Sequence, residues 1–138
     1  MEPPAFALTQ EAVVKLDGPV AKAGEVEKIF TDLGFFFCRV DCAGLGGKGE
    51  FITAVGTGFG FSGVDAHNWD SLEDSLGSLP CFRKAAGYAA VLSNFSGLPP
   101  GELALFEEVV RDAAAALWRN YSLRLKVVLL KPEKSSRK

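Results

Sequence analysis

Basic residues are missing from a long stretch in the middle of the chain. Between positions 49 and 82 there is no lysine or arginine, whereas five carboxylates lie there: Glu50, Asp65, Asp70, Glu73 and Asp74. The whole chain carries a net charge of −2, so this segment carries −5 and the remainder +3. A surface of one charge sign attracts partners of the opposite sign. We therefore expect this segment to face a basic protein and not nucleic acid.

Long apolar runs and paired cysteines are also missing. No stretch of 18 apolar residues is present, which excludes a membrane-spanning helix, and the first residues lack the pattern of a signal peptide. Three cysteines, Cys38, Cys42 and Cys81, form an odd set at irregular spacing. Such a set argues against a disulfide framework and favours a reducing compartment, for which we expect the cytoplasm.

The residues needed for common catalytic and metal sites are scarce. His67 is the only histidine, so any Ser-His or Cys-His mechanism would have to use it, and a single histidine before a helix is usually a surface residue. The cysteines lack the paired spacing of a four-ligand zinc site, and we expect buried thiols that act as small apolar side chains. The sequence thus predicts a protein without enzymatic activity, metal or cofactor.

Apolar periodicity predicts an α/β fold. The 138 residues are 48% hydrophobic and include 11 phenylalanines, enough for one soluble domain with an aromatic core. Strands are predicted over 11–16, 35–40, 88–92 and 123–130, and helices over 21–33, 48–55, 68–79 and 102–119. Alternation of this kind indicates a small, mainly parallel sheet packed with helices.

Three of these elements carry more detailed predictions. The apolar run over 35–40 is typical of a strand buried on both faces. Glycines over 56–63 predict a loop. The long helix over 102–119 places on one buried stripe Leu103, Phe106, Val109, Val110, Ala113, Leu117 and Trp118.

The helix over 68–79 has an apolar side and an acidic side. Asn68 is a favoured N-cap residue. The apolar side consists of Trp69, Leu72, Leu76 and Leu79. Asp70 and Asp74 lie one turn apart on the other side, with Glu73 at its flank. This pattern has two interpretations: a surface that binds a basic partner, or a solvated helix face whose acids are favoured by the helix dipole.

The sequence resembles the barstar family of ribonuclease inhibitors. The resemblance rests on Asn68-Trp69-Asp70-x-Leu72-x-Asp74-x-Leu76, preceded by Gly60-Phe61. It extends to Arg39-Val40-Asp41-Cys42-Ala43-Gly44, to Gly87-Tyr88-Ala89-Ala90-Val91-Leu92, and to the last helix and strand. It covers about 35–130, with a strand-helix extension over 1–34 and a basic flexible tail over 131–138.

The resemblance implies an inhibitor that plugs a basic ribonuclease site with the acidic helix and the loop before it. Asp70 and Asp74 would be the principal contacts, Asn68 would fix the junction of loop and helix, and Asp112 of the long helix would add another acid. The remaining positions of the expected surface are Val64, Asp65, His67 and Glu73.

The loop before the acidic helix departs from the family pattern. Family members usually have proline, an aromatic pair and glycine there, whereas this chain has Ser62, Val64, Asp65 and Ala66. One alternative is therefore a barstar-like scaffold for another basic protein. A further alternative is an enzyme that binds a divalent metal through Asp65, Asp70 and Asp74.

Overall fold

The fold is a four-stranded parallel sheet with helices on both faces. The computed structural model describes residues 11–19, 22–63 and 66–131. In chain order the elements are β1 (Val13–Asp17), α1 (Lys22–Asp32), β2 (Phe36–Asp41), α2 (Lys48–Phe59), α3 (Trp69–Leu76), a short 3₁₀ helix (Leu79–Cys81), β3 (Tyr88–Ser93), α4 (Pro100–Tyr121) and β4 (Leu125–Lys131). The predicted α/β fold with a parallel sheet is confirmed.

The two central strands explain the continuous apolar segments of the sequence. The sheet order is β1-β4-β3-β2, and every neighbouring pair is parallel. All of β3 and the first six residues of β4 are buried. Because side chains alternate along a strand, Tyr88, Ala90 and Leu92 enter the core beneath α2, α3 and α4, whereas Ala89 and Val91 enter a second core beneath α1.

The strand-helix unit at the start of the chain completes this sheet. β1 pairs with β4 as an edge strand, as predicted, and α1 packs against β2 and β3. Phe30 of α1 is fully buried, and its ring centroid lies 5.3 Å from that of Phe35 and 6.1 Å from that of Phe37. α1 therefore covers the second face of the sheet. Residues 132–138, most of the predicted tail, lie outside the described residues.

β2 is less buried than its apolar sequence predicts. Phe36, Phe37 and Cys38 are half-buried, and Arg39 is exposed, with its guanidinium Nη2 2.7 Å from Glu27 Oε1. The prediction of burial on both faces was wrong because β2 is an edge strand with a single neighbour, β3. An apolar run identifies a strand, but the chain topology decides which strand lies at the edge.

Burial of the cysteines and of α4 also differs in part from the prediction. Cys42 is buried and Cys38 half-buried, and burial raises the pKa of these thiols to about 11 and about 12, respectively. Cys81 is exposed, which corrects the prediction of a buried thiol.

On α4, Trp118 is 41% exposed although it was predicted on the buried stripe. It immediately follows the buried Leu117, and one step along a helix rotates it out of the core.

Helix α2 extends into the region 56–63 that was predicted as a glycine-rich loop and ends at Phe59. Its C-cap residue is Gly60, whose positive φ of 86° suits glycine at a helix terminus. A Cβ atom at Gly56 would lie 2.7 Å from the Cβ of Ala66, and one at Gly58 would lie 3.1 Å from Cγ2 of Val40. The prediction of a loop was wrong over 56–59, because Gly56 and Gly58 serve close packing of a helix, and correct over 60–63, where no helix is present.

Replacing Gly56 by alanine should therefore destabilise the fold although alanine favours helix. We expect Gly56→Ala to lower the free energy of unfolding by about 1–3 kcal/mol, the usual cost of overpacking. Gly49 is the matched control, because it lies in the same helix and a Cβ atom there would meet nothing within 4 Å. Gly49→Ala should raise the free energy of unfolding by about 0.4–1 kcal/mol. Urea unfolding of both variants measures the difference, and equal effects would contradict the packing explanation.

Lys126 is a buried cation at the start of β4. Its side chain is 1% exposed, its ammonium donates to the backbone carbonyl of Glu11, and burial lowers its pKa to about 8. An unfolded lysine keeps its proton up to about pH 10.4, so between these values the unfolded chain binds more protons than the folded one. Raising the pH from 8 to 10 should therefore increase stability. Urea unfolding at several pH values should show this increase relative to Lys126→Met, and parallel pH profiles would contradict it.

Candidate partner-binding face

The start of α3 is fixed by a reciprocal capping box. The amide of Ser71 donates to Oδ1 of Asn68 at 2.7 Å, and the amide of Asn68 donates to Oγ of Ser71 at 3.0 Å. The amide of His67 donates to the same hydroxyl at 2.9 Å. The predicted N-cap role of Asn68 is confirmed. These bonds join the end of the preceding loop to the first turn of α3.

The apolar side of α3 rests on the core. Leu72, Leu76 and Leu79 are fully buried. Trp69 is half-buried, with its ring centroid 6.0 Å from that of Phe51, in an edge-on arrangement. Packing on one side and capping at one end leave α3 a rigid support for the side chains that point away from the core.

The outward side of α3 meets α4 at an acidic groove. Asp70 and Asp74 are exposed, Glu73 is partly buried, and Asp112 is exposed on α4. A groove of about 140 Å³ lies between the two helices, and its lining includes Glu73, Asp74 and Asp112. The structure thus brings the acid of the long helix next to the acids of α3. We call Asp70, Glu73, Asp74 and Asp112 the acidic face.

Small residues allow α3 and α4 to approach at this groove. A Cβ atom at Gly77 would lie 3.5 Å from the Cβ of Ala116. Ser78 and Asn120 also line the groove and add a hydroxyl and an amide to its carboxylates. Neither residue was predicted from the sequence to belong to this surface. Neither belongs to the acidic motif, and only the packing of α4 on α3 places Asn120 there.

The charges of the acidic face are not neutralised by the described part of the chain. Ion pairs between described residues use Glu27, Asp32 and Glu107, and none uses a member of the acidic face. The pKa of Glu73 is raised, first by burial and then by repulsion from Asp112, Asp74 and Asp70. Three neighbouring carboxylates therefore repel Glu73 at a surface where a cationic group would relieve the repulsion.

Comparison with protein families identifies the family of this chain. Residues 35–130 match the family model described as Barstar (barnase inhibitor). The chain belongs to the barstar family. No curated protein and no solved structure gives a significant match. The region matched to the barstar family starts just before β2 and contains α3, α4 and the whole acidic face, whereas β1 and α1 precede it.

The remaining positions expected from the barstar resemblance precede α3 in the sequence. His67 is exposed next to the capping box. Val64 and Asp65 lie outside the described residues, so their predicted contribution to the surface stays a prediction. Ala66 is 3% exposed and packs against Gly56, so it belongs to the core. In this barstar-family chain the end of the loop is therefore a packing element.

The described ranges offer no cluster for the metal-dependent alternative. Nowhere in them do three histidine, cysteine, aspartate or glutamate side chains group so that they could bind a metal ion. Asp70 and Asp74 lie in the described part, and Asp65 does not.

Within the same described ranges, no helix combines the length and apolarity that crossing a bilayer requires.

Proposed function

We propose that this barstar-family chain is a non-catalytic inhibitor that covers the active site of a small basic ribonuclease with its acidic face. The observation that carries the proposal is the group of four carboxylates from α3 and α4 that no described lysine or arginine neutralises. The family match supports it, because the family model is described as an inhibitor.

The chemistry of a ribonuclease site explains why carboxylates would bind there. Such a site gathers lysine, arginine and histidine side chains that bind phosphate groups. Carboxylates accept the same charge-assisted hydrogen bonds and can occupy the positions of the phosphates. The two charge distributions would also steer the proteins together before contact.

Rigidity of α3 supports tight binding. The capping bonds of Asn68 and the buried leucines fix α3 before any partner arrives. A surface that is already ordered loses less conformational entropy on association, and more of the contact energy then appears as affinity.

Titration of barnase with the purified chain tests the proposal. We expect RNA cleavage to fall in proportion to the chain added and to reach zero at one molecule per enzyme, as for a stoichiometric inhibitor. Cleavage that stays unchanged at a large excess of the chain would contradict inhibition of this nuclease.

A second candidate function is a scaffold for another basic protein. The observation that favours it is the burial of Ala66 against Gly56, in a loop that lacks the aromatic pair usual in the family. Aromatic anchors supply much of the energy of many interfaces. A pull-down from lysate separates the two candidates: a small cationic ribonuclease in the eluate would favour the inhibitor, and a basic protein without nuclease activity would favour the scaffold.

A further inference from the structure

The edge of the sheet where the strands begin carries a basic surface. Because all strands are parallel, the segments that precede β3 and β4 meet at this edge. Neither 75–101 nor 113–131 contains an aspartate or glutamate. Four basic residues precede these strands, Arg83, Lys84, Arg119 and Arg124, and none of them takes part in an ion pair between described residues.

Exposed aromatic rings lie among these charges. Phe82, Trp118 and Tyr121 are 40%, 41% and 39% exposed. Trp118 and Tyr121 are three residues apart on α4 and therefore neighbours on its surface. The Tyr121 hydroxyl lies 3.7 Å from Cys81 Sγ, which brings the segment containing Phe82 next to the end of α4.

Two arginines of this surface already lie on aromatic rings, and the guanidinium carbon of Arg83 is 4.2 Å from the centre of the Phe36 ring. The guanidinium carbon of Arg124 is 5.2 Å from the centre of the Trp118 ring, and Arg124 Nε is buried without a hydrogen-bond partner among the described residues. On another side of Trp118 lies a groove of about 400 Å³, where Ala114 and Ala115 leave space beside the ring and Glu11 is an acid in the lining.

We propose that the surface formed by Phe82, Arg83, Lys84, Trp118, Arg119, Tyr121 and Arg124 binds single-stranded nucleic acid. Lysine and arginine would contact the phosphates, and exposed rings would stack on unpaired bases, the two features that single-strand binding surfaces combine. A duplex keeps its bases stacked inside and would leave the rings unused. We expect only the acidic segment over 49–82 to disfavour nucleic acid. Two residues of the basic surface, Arg83 and Lys84, follow immediately after that segment.

This surface shares no residue with the acidic face, so the two proposals can fail independently. The basic surface lies where α4 ends and β3 and β4 begin. The acidic face lies on the outward side of α3 and on the middle of α4. Removing acids from α3 should leave binding of a nucleic acid unchanged or slightly strengthened, because their long-range repulsion of phosphate is reduced.

Fluorescence anisotropy with a labelled oligouridylate of about twelve nucleotides tests the proposal. We expect saturable binding at about 50 mM salt that weakens at higher salt. Trp118→Leu should weaken binding about tenfold through the lost stacking. Arg119→Gln should weaken it severalfold and reduce the slope against log salt by about 0.7. Arg119 is exposed, so Arg119→Gln should leave the melting temperature unchanged, whereas Trp118→Leu should lower it slightly because the contact with Arg124 is lost.

Lys48 supplies the matched control. It is exposed at the start of α2, at the opposite edge of the sheet, and Lys48→Gln removes the same charge as Arg119→Gln. We expect Lys48→Gln to change affinity less than about twofold. Three results would each overturn the proposal. The first is the absence of saturable binding, and the second is an equal loss of affinity in Lys48→Gln and Arg119→Gln. The third is inorganic polyphosphate that binds as tightly as the oligonucleotide, with an affinity that Trp118→Leu does not change.

Discussion

Replacing Asp70 and Asp74 by asparagine should abolish tight inhibition of barnase while leaving the fold intact. Both carboxylates are exposed on α3, with no cationic partner among the described residues. Each substitution removes an attraction to a basic site that binding would largely shield from water. We expect each single variant to raise the inhibition constant at least about tenfold, equivalent to about 1.4 kcal/mol, and the double variant to raise it further.

Melting temperature and salt dependence separate this effect from a loss of structure. Removing Asp74 relieves its repulsion of Glu73, so thermal stability should stay level or rise slightly. The inhibition constant of the double variant should also depend less on salt. Glu108→Gln is the matched control, because Glu108 is an exposed acid of α4 that does not line the groove. Equal losses of inhibition in Glu108→Gln and Asp74→Asn would indicate that net charge alone acts.

Replacing Leu72 by alanine should produce the largest loss of stability among these variants. Leu72 is fully buried at the end of the first turn of α3, beneath the acidic face. Truncating a leucine at such a site removes buried apolar surface and leaves a cavity, at a usual cost of about 2–5 kcal/mol. Urea unfolding measures this loss. Inhibition by the fraction that remains folded shows how far the acids depend on a rigid support.

Leu105 supplies the comparison for this variant. It is 44% exposed on α4, so Leu105→Ala should change the free energy of unfolding by less than about 1 kcal/mol. Similar losses in Leu72→Ala and Leu105→Ala would mean that α3 does not rest on the core as described.

The sequence predicted the elements of the fold better than their environment. Apolar composition and periodicity located the four strands and the four α-helices of the described residues, because the central strands are rich in apolar residues and each helix shows an apolar stripe. They did not show that β2 lies at an edge, since edge position depends on strand order. They also placed a loop at Gly56 and Gly58, because the close contacts of these glycines come from residues distant in the chain.

The acidic face was predictable only in part, because only some of its features follow from local sequence patterns. Asn68, Asp70 and Asp74 follow local rules of capping and helical spacing, which a sequence displays directly. The position of Asp112 next to α3 came from the family resemblance and depends on how α4 packs. The small residues Gly77 and Ala116, which bring the two helices together, show no local pattern that would have marked them.

The packing of α1 has a practical consequence for anyone who produces this protein. The family match starts at residue 35, after α1 has already supplied Ala23, Val26 and Phe30 to the second core. A fragment limited to residues 35–130 would expose Val128 and Leu130 of β4 to solvent. It would also leave unpaired the edge of β4 that β1 occupies in the whole chain. Bare apolar surface beside an open strand edge promotes aggregation, so such a fragment should collect in inclusion bodies while the full chain stays in solution.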